Sequence, residues 1–306
     1  MGPFIALPDG TFLLLNGALN GTAGYSNITY QTIAEGNLTN PYWYSLASGP
    51  IETPAIYDPT APKGSRWSNA GLGASNIPRL YHSSAILLPD ASVLVAGSNP
   101  NIDVNLTTVF PTTYQAEIFY PKYFNGAARP QPSGIPSKLG YGGSSFDITI
   151  PSTSYSGSSN TAAQNTIISL IRPGWVTHDM SMNMRYLQLN NTYSVNSDGW
   201  ITFHTSQLPP NSNIFQPGPA FLFVTVNGIP SNGTYVIVGS GEMGAQPTNQ
   251  VQELPVSVGA DGTSGSGNDG SGSSGSGGSS AAVVTGKRTT VLGICVAVVG
   301  LLGLLL

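Results

Sequence analysis

The sequence predicts an all-β protein, and three observations lead to this prediction. Only 8% of the 306 residues are charged, and glycine, serine, threonine, asparagine and proline fill the gap, which suits strands joined by many turns. A hairpin motif occurs twice in the first third of the chain. Short apolar runs bounded by proline, glycine and asparagine then follow, and no convincing amphipathic helix interrupts them.

The repeated motif is a hairpin built around a Pro-Asp turn. The first copy reads ALPDGTFLLLNGA at residues 6–18, and the second reads LLPDASVLVAGS at residues 87–98. Proline presets φ at the start of the turn, and the glycine of the first copy accepts positive φ, so each copy predicts two antiparallel strands. The run PAIYDP between them is a third strand signal. Two hairpins can belong to a β-propeller, but a propeller needs about four to eight blades.

The second half of the folded chain predicts a sandwich. Its spacing of strand-like runs and turns is typical of an antiparallel sandwich of the immunoglobulin type, without the Cys–Trp–Cys signature. The runs are YQAEIFY, SFDITI, TIISLIRP, RYLQLN, WITFHTS, AFLFVTVNG and YVIVG. We therefore predict four segments: propeller hairpins at 1–112, an Ig-like sandwich at 113–256, a Gly/Ser-rich linker at 257–288 and a hydrophobic tail at 289–306.

The two ends of the chain indicate a protein of the cell surface. The tail VLGICVAVVGLLGLLL follows a Gly/Ser spacer, which matches a GPI-attachment signal with its site near Ser279 or Ser280; a membrane-spanning tail anchor is the alternative. The amino terminus has no basic region and its apolar run is broken by PDG, so it is not a secretory signal. We expect the chain to lack the beginning of a longer protein.

Composition also bears on location and partners. Six Asn-X-Ser/Thr sequons fit an extracellular glycoprotein; they lie at Asn20, Asn27, Asn37, Asn105, Asn190 and Asn232. The formal charge is -4 and no basic block occurs, which excludes a typical nucleic-acid-binding surface. The single cysteine, Cys295, lies in the tail, so we predict no disulfide in the folded part.

The three histidines are the candidate site residues. His204 lies in the strand-like run WITFHTS, where an alternation of period two explains it as a structural residue. Tyr81 and His82 are adjacent, and neighbours in a regular strand point to opposite faces, so both reach one centre only if the backbone is irregular there. Imidazole and phenolate are copper donors, and His178 in a Pro-Gly turn region offers a third; spacing alone makes this a weak signal.

Six collinear stretches give the sequence a resemblance to a known family. They are LPDGTFLLLNGALNGTAGY, PAIYDPTAPKGSRWSNAG, IPRLYHSSAILLPDASVLVAGSNPN, AEIFYPKYFNGAARPQ, LIRPGWVTHDMSMNMRYLQL and FQPGPAFLFVTVNGIPSNGTYVIVGSG. Over about residues 4 to 242 the chain resembles the glyoxal oxidase family of copper radical oxidases, relatives of galactose oxidase. The resemblance implies the last blades of a seven-bladed kelch-type β-propeller, followed by an early-set, Ig-like β-sandwich; the Gly/Ser-rich composition that follows predicts a disordered tail.

The same resemblance implies a copper site. One copper ion would be bound by Tyr81, His82 and His178, and Tyr81 would also be catalytic as the acceptor of the substrate's hydroxyl proton. The family's fourth ligand is a tyrosine joined to a cysteine by a thioether, and this pair has no match here because Cys295 is in the tail. We therefore expect an incomplete site in the C-terminal portion of such an oxidase.

The implied reaction is oxidation of a small aldehyde, such as glyoxal or methylglyoxal, to a carboxylic acid, with dioxygen reduced to hydrogen peroxide. The resemblance implies that aldehyde and dioxygen as partners of the full-length protein. The C-terminal tail predicts the membrane as a further partner, and a cell-wall polysaccharide is the partner expected of a surface module. Because the Cys–Tyr pair is missing, we expect this chain to be inactive alone. The alternative function is a non-catalytic cell-surface or carbohydrate-binding module.

Overall fold

The computed structural model describes residues 2–25, 32–33, 38–39 and 45–265, and in these the all-β prediction is confirmed. They form 26 short strands, one α-helix at Ser159–Gln164 and one 3-10 turn at Ser152–Ser154. The strands divide into two regions: small antiparallel sheets up to residue 119, and a sandwich of two larger sheets beyond it.

A four-stranded antiparallel sheet opens the first region, in the order β1-β2-β7-β8. The strands β3 and β6 form a separate hairpin in the connection between β2 and β7, and β4 pairs with β5. The bounds are β1 Phe4–Ala6, β2 Phe12–Leu14, β3 Ala18–Tyr25, β4 Thr32–Ile33, β5 Leu38–Thr39, β6 Ser45–Pro50, β7 Ala55–Tyr57 and β8 Trp67–Ser68. The run PAIYDP is thus a strand, as its sequence predicts, and it is the third of this sheet.

A three-stranded sheet follows, with β9 at Ser84–Leu87, β10 at Val93–Ala96 and β11 at Ala116–Phe119, in the order β9-β10-β11. Strand β11 pairs with β10 along its whole length. The predicted boundary between 112 and 113 assigned this strand to the sandwich, and that part of the prediction is wrong. Strand β11 takes the same place beside its hairpin as β7 does beside the first hairpin, because the sequence EIFYP at β11 repeats the pattern of AIYDP at β7.

Both predicted Pro-Asp hairpins are confirmed, and their turns are built in the same way. In the first, the Asp9 carboxylate accepts hydrogen bonds from the backbone N–H of Thr11 at 3.1 Å and from its hydroxyl at 2.7 Å. In the second, Asp90 accepts from the N–H of Ser92 at 3.0 Å and from its hydroxyl at 2.6 Å. The described residues therefore contain two sheets with blade-like hairpins, and the closed propeller itself stays a prediction.

The sandwich consists of two main sheets with an apolar layer between them, which confirms an Ig-like β-sandwich. One sheet has the order β12-β23-β21-β15-β18, with β22 beside β21, and the other has the order β14-β20-β19-β25-β26. The bounds are β12 Lys138–Leu139, β13 Tyr141–Gly143, β14 Phe146–Ile150, β15 Thr166–Arg172, β16 Trp175–Thr177, β17 Met180–Met182, β18 Arg185–Leu189, β19 Asn191–Val195, β20 Ile201–Thr205, β21 Gly218–Val226, β22 Ile229–Pro230, β23 Thr234–Val238, β24 Thr248–Val251, β25 Ser257–Val258 and β26 Ser264–Gly265.

The last two strands lie beyond the predicted end of the sandwich. We placed a flexible linker from residue 257, but Val258 pairs in parallel with Ser194 of β19, and β26 pairs with β25. The rest of the predicted linker, the hydrophobic tail with Cys295 and the sequons at Asn27 and Asn37 lie outside the described residues. Within the described part of the chain, none of the helices combines the length and the apolar character needed to cross a membrane.

The two regions are joined at the Pro-Asp turns. The carbonyl of Pro8 accepts hydrogen bonds from the hydroxyls of Ser169 and Thr225, each at 3.2 Å. The equivalent carbonyl of Pro89 accepts from the N–H of Gly233 at 2.7 Å. Both hairpins therefore dock on the same sheet of the sandwich through the same residue of the repeat, which fixes the first region relative to the sandwich.

Candidate metal centre

Tyr81 and His82 occupy a turn immediately before β9, and the backbone irregularity that the sequence analysis requires is present. His82 has φ of 63°, a left-handed conformation that is uncommon outside glycine but tolerated by histidine. As a result the two neighbouring rings lie on the same side, with centroids 3.8 Å apart and planes inclined by 25°. A regular strand would have separated them.

The turn is held by the loop that follows β10. The N–H of Asn99 donates to the carbonyl of Tyr81 at 3.0 Å, and the Nδ1 of His82 lies 2.9 Å from the carbonyl of Asn99. A carbonyl only accepts, so Nδ1 carries the proton and Nε2 keeps its lone pair for a metal. Gly97 permits this close approach, because a Cβ there would lie 2.7 Å from the carbonyl oxygen of His82.

A buried arginine supports the same turn from beneath. The guanidinium of Arg79 contacts the carboxylate of Glu117 at 2.8 Å, and it also donates to the carbonyls of Gln115, at 3.1 Å, and Gly97. The Arg79 side chain is 1% exposed, whereas Glu117 is 37% exposed. Arg79 therefore ties the segment before Tyr81 to β11 and to the loop after β10.

His178 lies at the tip of the β16–β17 hairpin, which the sandwich extends towards the first region. The two residues of the turn, His178 and Asp179, have φ of 54° and 57°, as in a type I′ turn. The hydroxyl of Ser181 in β17 bonds both the N–H of Phe4, at 3.1 Å, and its carbonyl, at 2.8 Å. The hairpin is thereby anchored along β1, the strand that leads into the first Pro-Asp turn.

The structure brings all three predicted ligands together. The ring of Tyr81 lies 5.5 Å from that of His178, with planes inclined by 50°. Tyr81 is 7% exposed, whereas His82 and His178 are open to solvent. The Nδ1 of His178 is engaged by the hydroxyl of Thr177 at 2.9 Å. Two segments about a hundred residues apart therefore meet in one small cluster of rings, while the ligand role of these residues stays a prediction.

Two further residues at the cluster were missed by the sequence analysis. Tyr25, at the end of β3, has its ring 6.4 Å from that of Tyr81 and 6.5 Å from that of His82. Asp179 is 1% exposed, and burial raises the pKa of its carboxyl to about 6. Asp179 carried no signal in the sequence, because a charged residue in a two-residue turn is normally solvated. Tyr25 carried none either, since its approach depends on the pairing of β3 with β6.

The third histidine is elsewhere, in agreement with its predicted structural role. The Nδ1 of His204 lies 2.8 Å from the carboxylate of Asp147 on β14, and its Nε2 lies 3.0 Å from the hydroxyl of Ser194 on β19. Both ring nitrogens are thus satisfied by the neighbouring strands of one sheet. His204 has no free nitrogen for a metal.

The donor set of the cluster fits a copper ion. No group of three or more histidine, cysteine, aspartate or glutamate side chains in the described residues could hold a metal. The cluster instead combines two imidazoles with a phenol, and imidazole nitrogen suits copper. Each imidazole has its Nδ1 engaged and its Nε2 available, as is usual for histidine ligands.

Comparison with known proteins agrees with these observations. Residues 32–123 match the family model "Glyoxal oxidase N-terminus", and residues 129–238 match "Galactose oxidase-like, Early set domain". The chain is 35% identical over 245 residues to aldehyde oxidase GLOX1 of Arabidopsis thaliana, covering 77% of this chain and 35% of that protein. It is 30% identical over 240 residues to aldehyde oxidase GLOX of Vitis pseudoreticulata, covering 77% of this chain and 40% of that protein.

A solved structure supports the fold. A fungal alcohol oxidase of the AA5 family, determined in complex with copper, superposes with a TM-score of 0.51 at 20% identity, over 77% of this chain and 41% of that one. The chain thus spans well under half the length of each of these proteins. The two family-model matches, to residues 32–123 and 129–238, follow each other in the order of the two regions of the fold. The chain therefore belongs to the galactose oxidase-like copper oxidases, with a glyoxal oxidase region followed by an early-set domain.

Proposed function

We propose that this chain supplies the copper-binding part of an oxidase active centre, with Tyr81, His82 and His178 as ligands of one copper ion. The observation that carries the proposal is the convergence of these three rings from two separate regions, with centroid distances of 3.8 Å and 5.5 Å from Tyr81. Both imidazoles are exposed and stand on turns with positive φ, a backbone conformation that is uncommon for non-glycine residues.

Each residue has a distinct task in this proposal. His82 and His178 present Nε2 to the metal because their Nδ1 atoms are occupied, and Tyr81 accepts the proton of the substrate's hydroxyl group. Tyr25, 44% exposed beside both Tyr81 and His82, forms an aromatic wall that favours a small substrate. A bound copper ion would supply one-electron exchange with substrate and dioxygen.

The proposed substrate is a small aldehyde in its hydrated form. The hydrate, RCH(OH)₂, loses two electrons and two protons and becomes the carboxylic acid, and dioxygen takes up both and becomes hydrogen peroxide. The relatives named aldehyde oxidase support this choice. A copper ion exchanges one electron at a time, so the two-electron step needs a second redox group. The resemblance assigns that group to a Cys–Tyr pair, and the only cysteine of this chain is Cys295.

The test is copper binding by the whole chain, measured by isothermal titration calorimetry and electron paramagnetic resonance. We expect one Cu(II) ion per chain with nitrogen hyperfine structure, and loss of about tenfold or more in affinity in His178→Ala and His82→Ala. His204→Gln is the matched control and should bind copper as the wild type does. With methylglyoxal the copper-loaded chain should release no peroxide. Absence of copper uptake would refute the proposal and favour the non-catalytic alternative.

We also propose that the protein is extracellular, glycosylated and attached to the membrane through its C-terminal segment by a GPI anchor, with a spanning helix as the alternative. Of the four sequons whose asparagines the structure describes, three have them exposed, at Asn20, Asn190 and Asn232, which supports glycan addition there. Expression in eukaryotic cells of the chain fused to a secretory signal tests both parts. A mass shift after removal of N-glycans and release by a phosphatidylinositol-specific phospholipase are expected, and retention after phospholipase treatment would contradict the GPI anchor.

A further inference from the structure

Asp179 is a buried carboxylate that links the two turns of the candidate metal centre. It follows His178 in the β16–β17 turn, and its Oδ1 lies 3.5 Å from the hydroxyl of Ser83, the residue after His82. Asp179 and Ser83 are 1% and 2% exposed. The two residues that follow the two histidines are therefore in contact across 96 positions of sequence.

The second oxygen of this carboxylate is unexplained by the fold. Among the described residues, Oδ2 of Asp179 is buried and has no hydrogen-bond partner. Leaving a buried polar atom unpaired is destabilising, and more so for a charged group. The turn itself does not require the carboxylate, because both positions of a type I′ turn accept asparagine or glycine. The carboxylate therefore calls for a role other than turn formation.

We propose that Asp179 is a positioning residue of the copper site, which holds the His178 turn against the His82 turn through Ser83 and sets a negative charge behind the two imidazoles. This inference rests on the proposed function, because the charge has a purpose only when a cation occupies the centre. Neutral imidazoles do not compensate the charge of Cu(II), and a carboxylate that is shielded from solvent beside the ligand turns would do so. Asp179 is adjacent in sequence to His178, and it contacts Ser83, the residue next to His82.

Two substitutions separate the charge from the turn. Asp179→Asn keeps the size and the turn preference but removes the charge, and Asp179→Gly keeps an ideal residue for positive φ but removes the whole side chain. Asp147→Asn is the matched control, because Asp147 also contacts a histidine, His204, but lies in the sandwich away from the centre. The measurements are Cu(II) affinity by calorimetry and the Cu(II) spectrum by electron paramagnetic resonance, both on the whole chain at fixed pH.

We expect Asp179→Asn to weaken Cu(II) binding by about 10–100-fold and to change the hyperfine splitting, as substitutions of groups that orient metal ligands do. Asp179→Gly should weaken binding at least as much, and Asp147→Asn should leave both measurements unchanged. Near-ultraviolet circular dichroism monitors folding, and a variant that misfolds is replaced by Ser83→Ala, which removes the hydroxyl contact and should weaken binding by a smaller factor.

The outcomes separate this inference from the function on which it rests. If the wild type binds copper and Asp179→Asn binds it equally well with the same spectrum, Asp179 has no positioning role and only the inference fails. If the wild type binds no copper, the proposed function fails, and the inference fails with it. A loss of affinity in Asp147→Asn as large as in Asp179→Asn would also overturn the inference, because the effect would then be one of general stability.

Discussion

The sandwich and the first region bury their cores in different ways. The sandwich core is formed entirely by its own residues, all between Leu139 and Val238. The core of the first region is shared, because Ile171 and Phe223 of the sandwich lie among its apolar side chains. The first sheet also keeps an aromatic face of Phe4, Phe12, Tyr57 and Trp67, on which Trp67 is 54% exposed. One region builds its core alone, and the other shares its main core with its neighbour.

This difference explains where the candidate metal centre lies. Tyr81 and His82 belong to the region with the shared core, and His178 is carried by a hairpin of the sandwich. The rings meet only because the hairpin is anchored on β1 by Ser181 and both Pro-Asp turns dock on the sandwich. The site is therefore a property of the junction, and changes at the junction should affect it more than equal changes inside the sandwich.

The largest expected effect comes from separating the two regions. We expect residues 129–265 alone to unfold cooperatively with heat, because their core is complete, and residues 2–123 alone to show no cooperative transition. Circular dichroism and calorimetry on the two fragments make the test. A cooperative transition in the first fragment would contradict the dependence that the shared core implies.

The second effect compares two buried phenylalanines. Phe223 lies in the shared core and Phe203 in the sandwich core, and both are 0% exposed. Each substitution by alanine should lower the free energy of unfolding by about 3–5 kcal/mol. Only Phe223→Ala should also weaken copper binding, since only it loosens the junction. Equal copper affinities in the two variants would show that the site does not depend on the junction.

Sequence patterns were sufficient to predict the hairpins and the sandwich, but not to assign every strand to the correct region. Pro-Asp turns and alternating apolar runs predicted the hairpins and the sandwich, because these are local features. Strand β11 was assigned to the wrong region, since its partner β10 lies 20 residues earlier and pairing is not local. The strands β25 and β26 were missed because Ser257–Val258 and Ser264–Gly265 are short and lie in a glycine-rich stretch, and tertiary pairing overrides weak propensity there.

The third effect concerns the support beneath Tyr81. Arg79→Met should lower the free energy of unfolding by about 2–3 kcal/mol, because it leaves the carbonyls of Gly97 and Gln115 without their donor. It should also weaken copper binding, since the His82 turn rests on the same loop. Glu117→Gln, which keeps an acceptor for Arg79, should cost about 1 kcal/mol. Chemical denaturation checks both values, and a larger loss in Glu117→Gln would contradict the supporting role of the carbonyls.

The candidate site shows the same limit of prediction. Tyr81, His82 and His178 were identified because the family resemblance marks them, and the irregular backbone at His82 followed from their adjacency. Arg79, Ser83 and Asp179 were missed, because their roles arise from contacts between segments 36 to 96 residues apart. Such contacts leave no periodic pattern in a single sequence, and only the fold brings them together.

The smallest effect compares the two Pro-Asp turns. Asp90→Ala removes an exposed carboxylate that accepts two hydrogen bonds from Ser92, and it should lower the free energy of unfolding by about 1 kcal/mol. At neutral pH Asp9→Ala should lower the free energy of unfolding by less than Asp90→Ala does. The reason is that Asp9 is partly buried: burial raises its pKa above 3.8, and the ionised carboxylate is destabilised by desolvation. A raised pKa means that the folded state binds the proton more tightly, so the wild type gains stability as the pH falls through the folded pKa towards 3.8. The cost of Asp9→Ala should therefore grow on acidification, as urea denaturation at a series of pH values measures. A cost independent of pH would show that Asp9 is as well solvated as an ordinary surface carboxylate, and that the turn docked by Pro8 is no more buried than the one docked by Pro89.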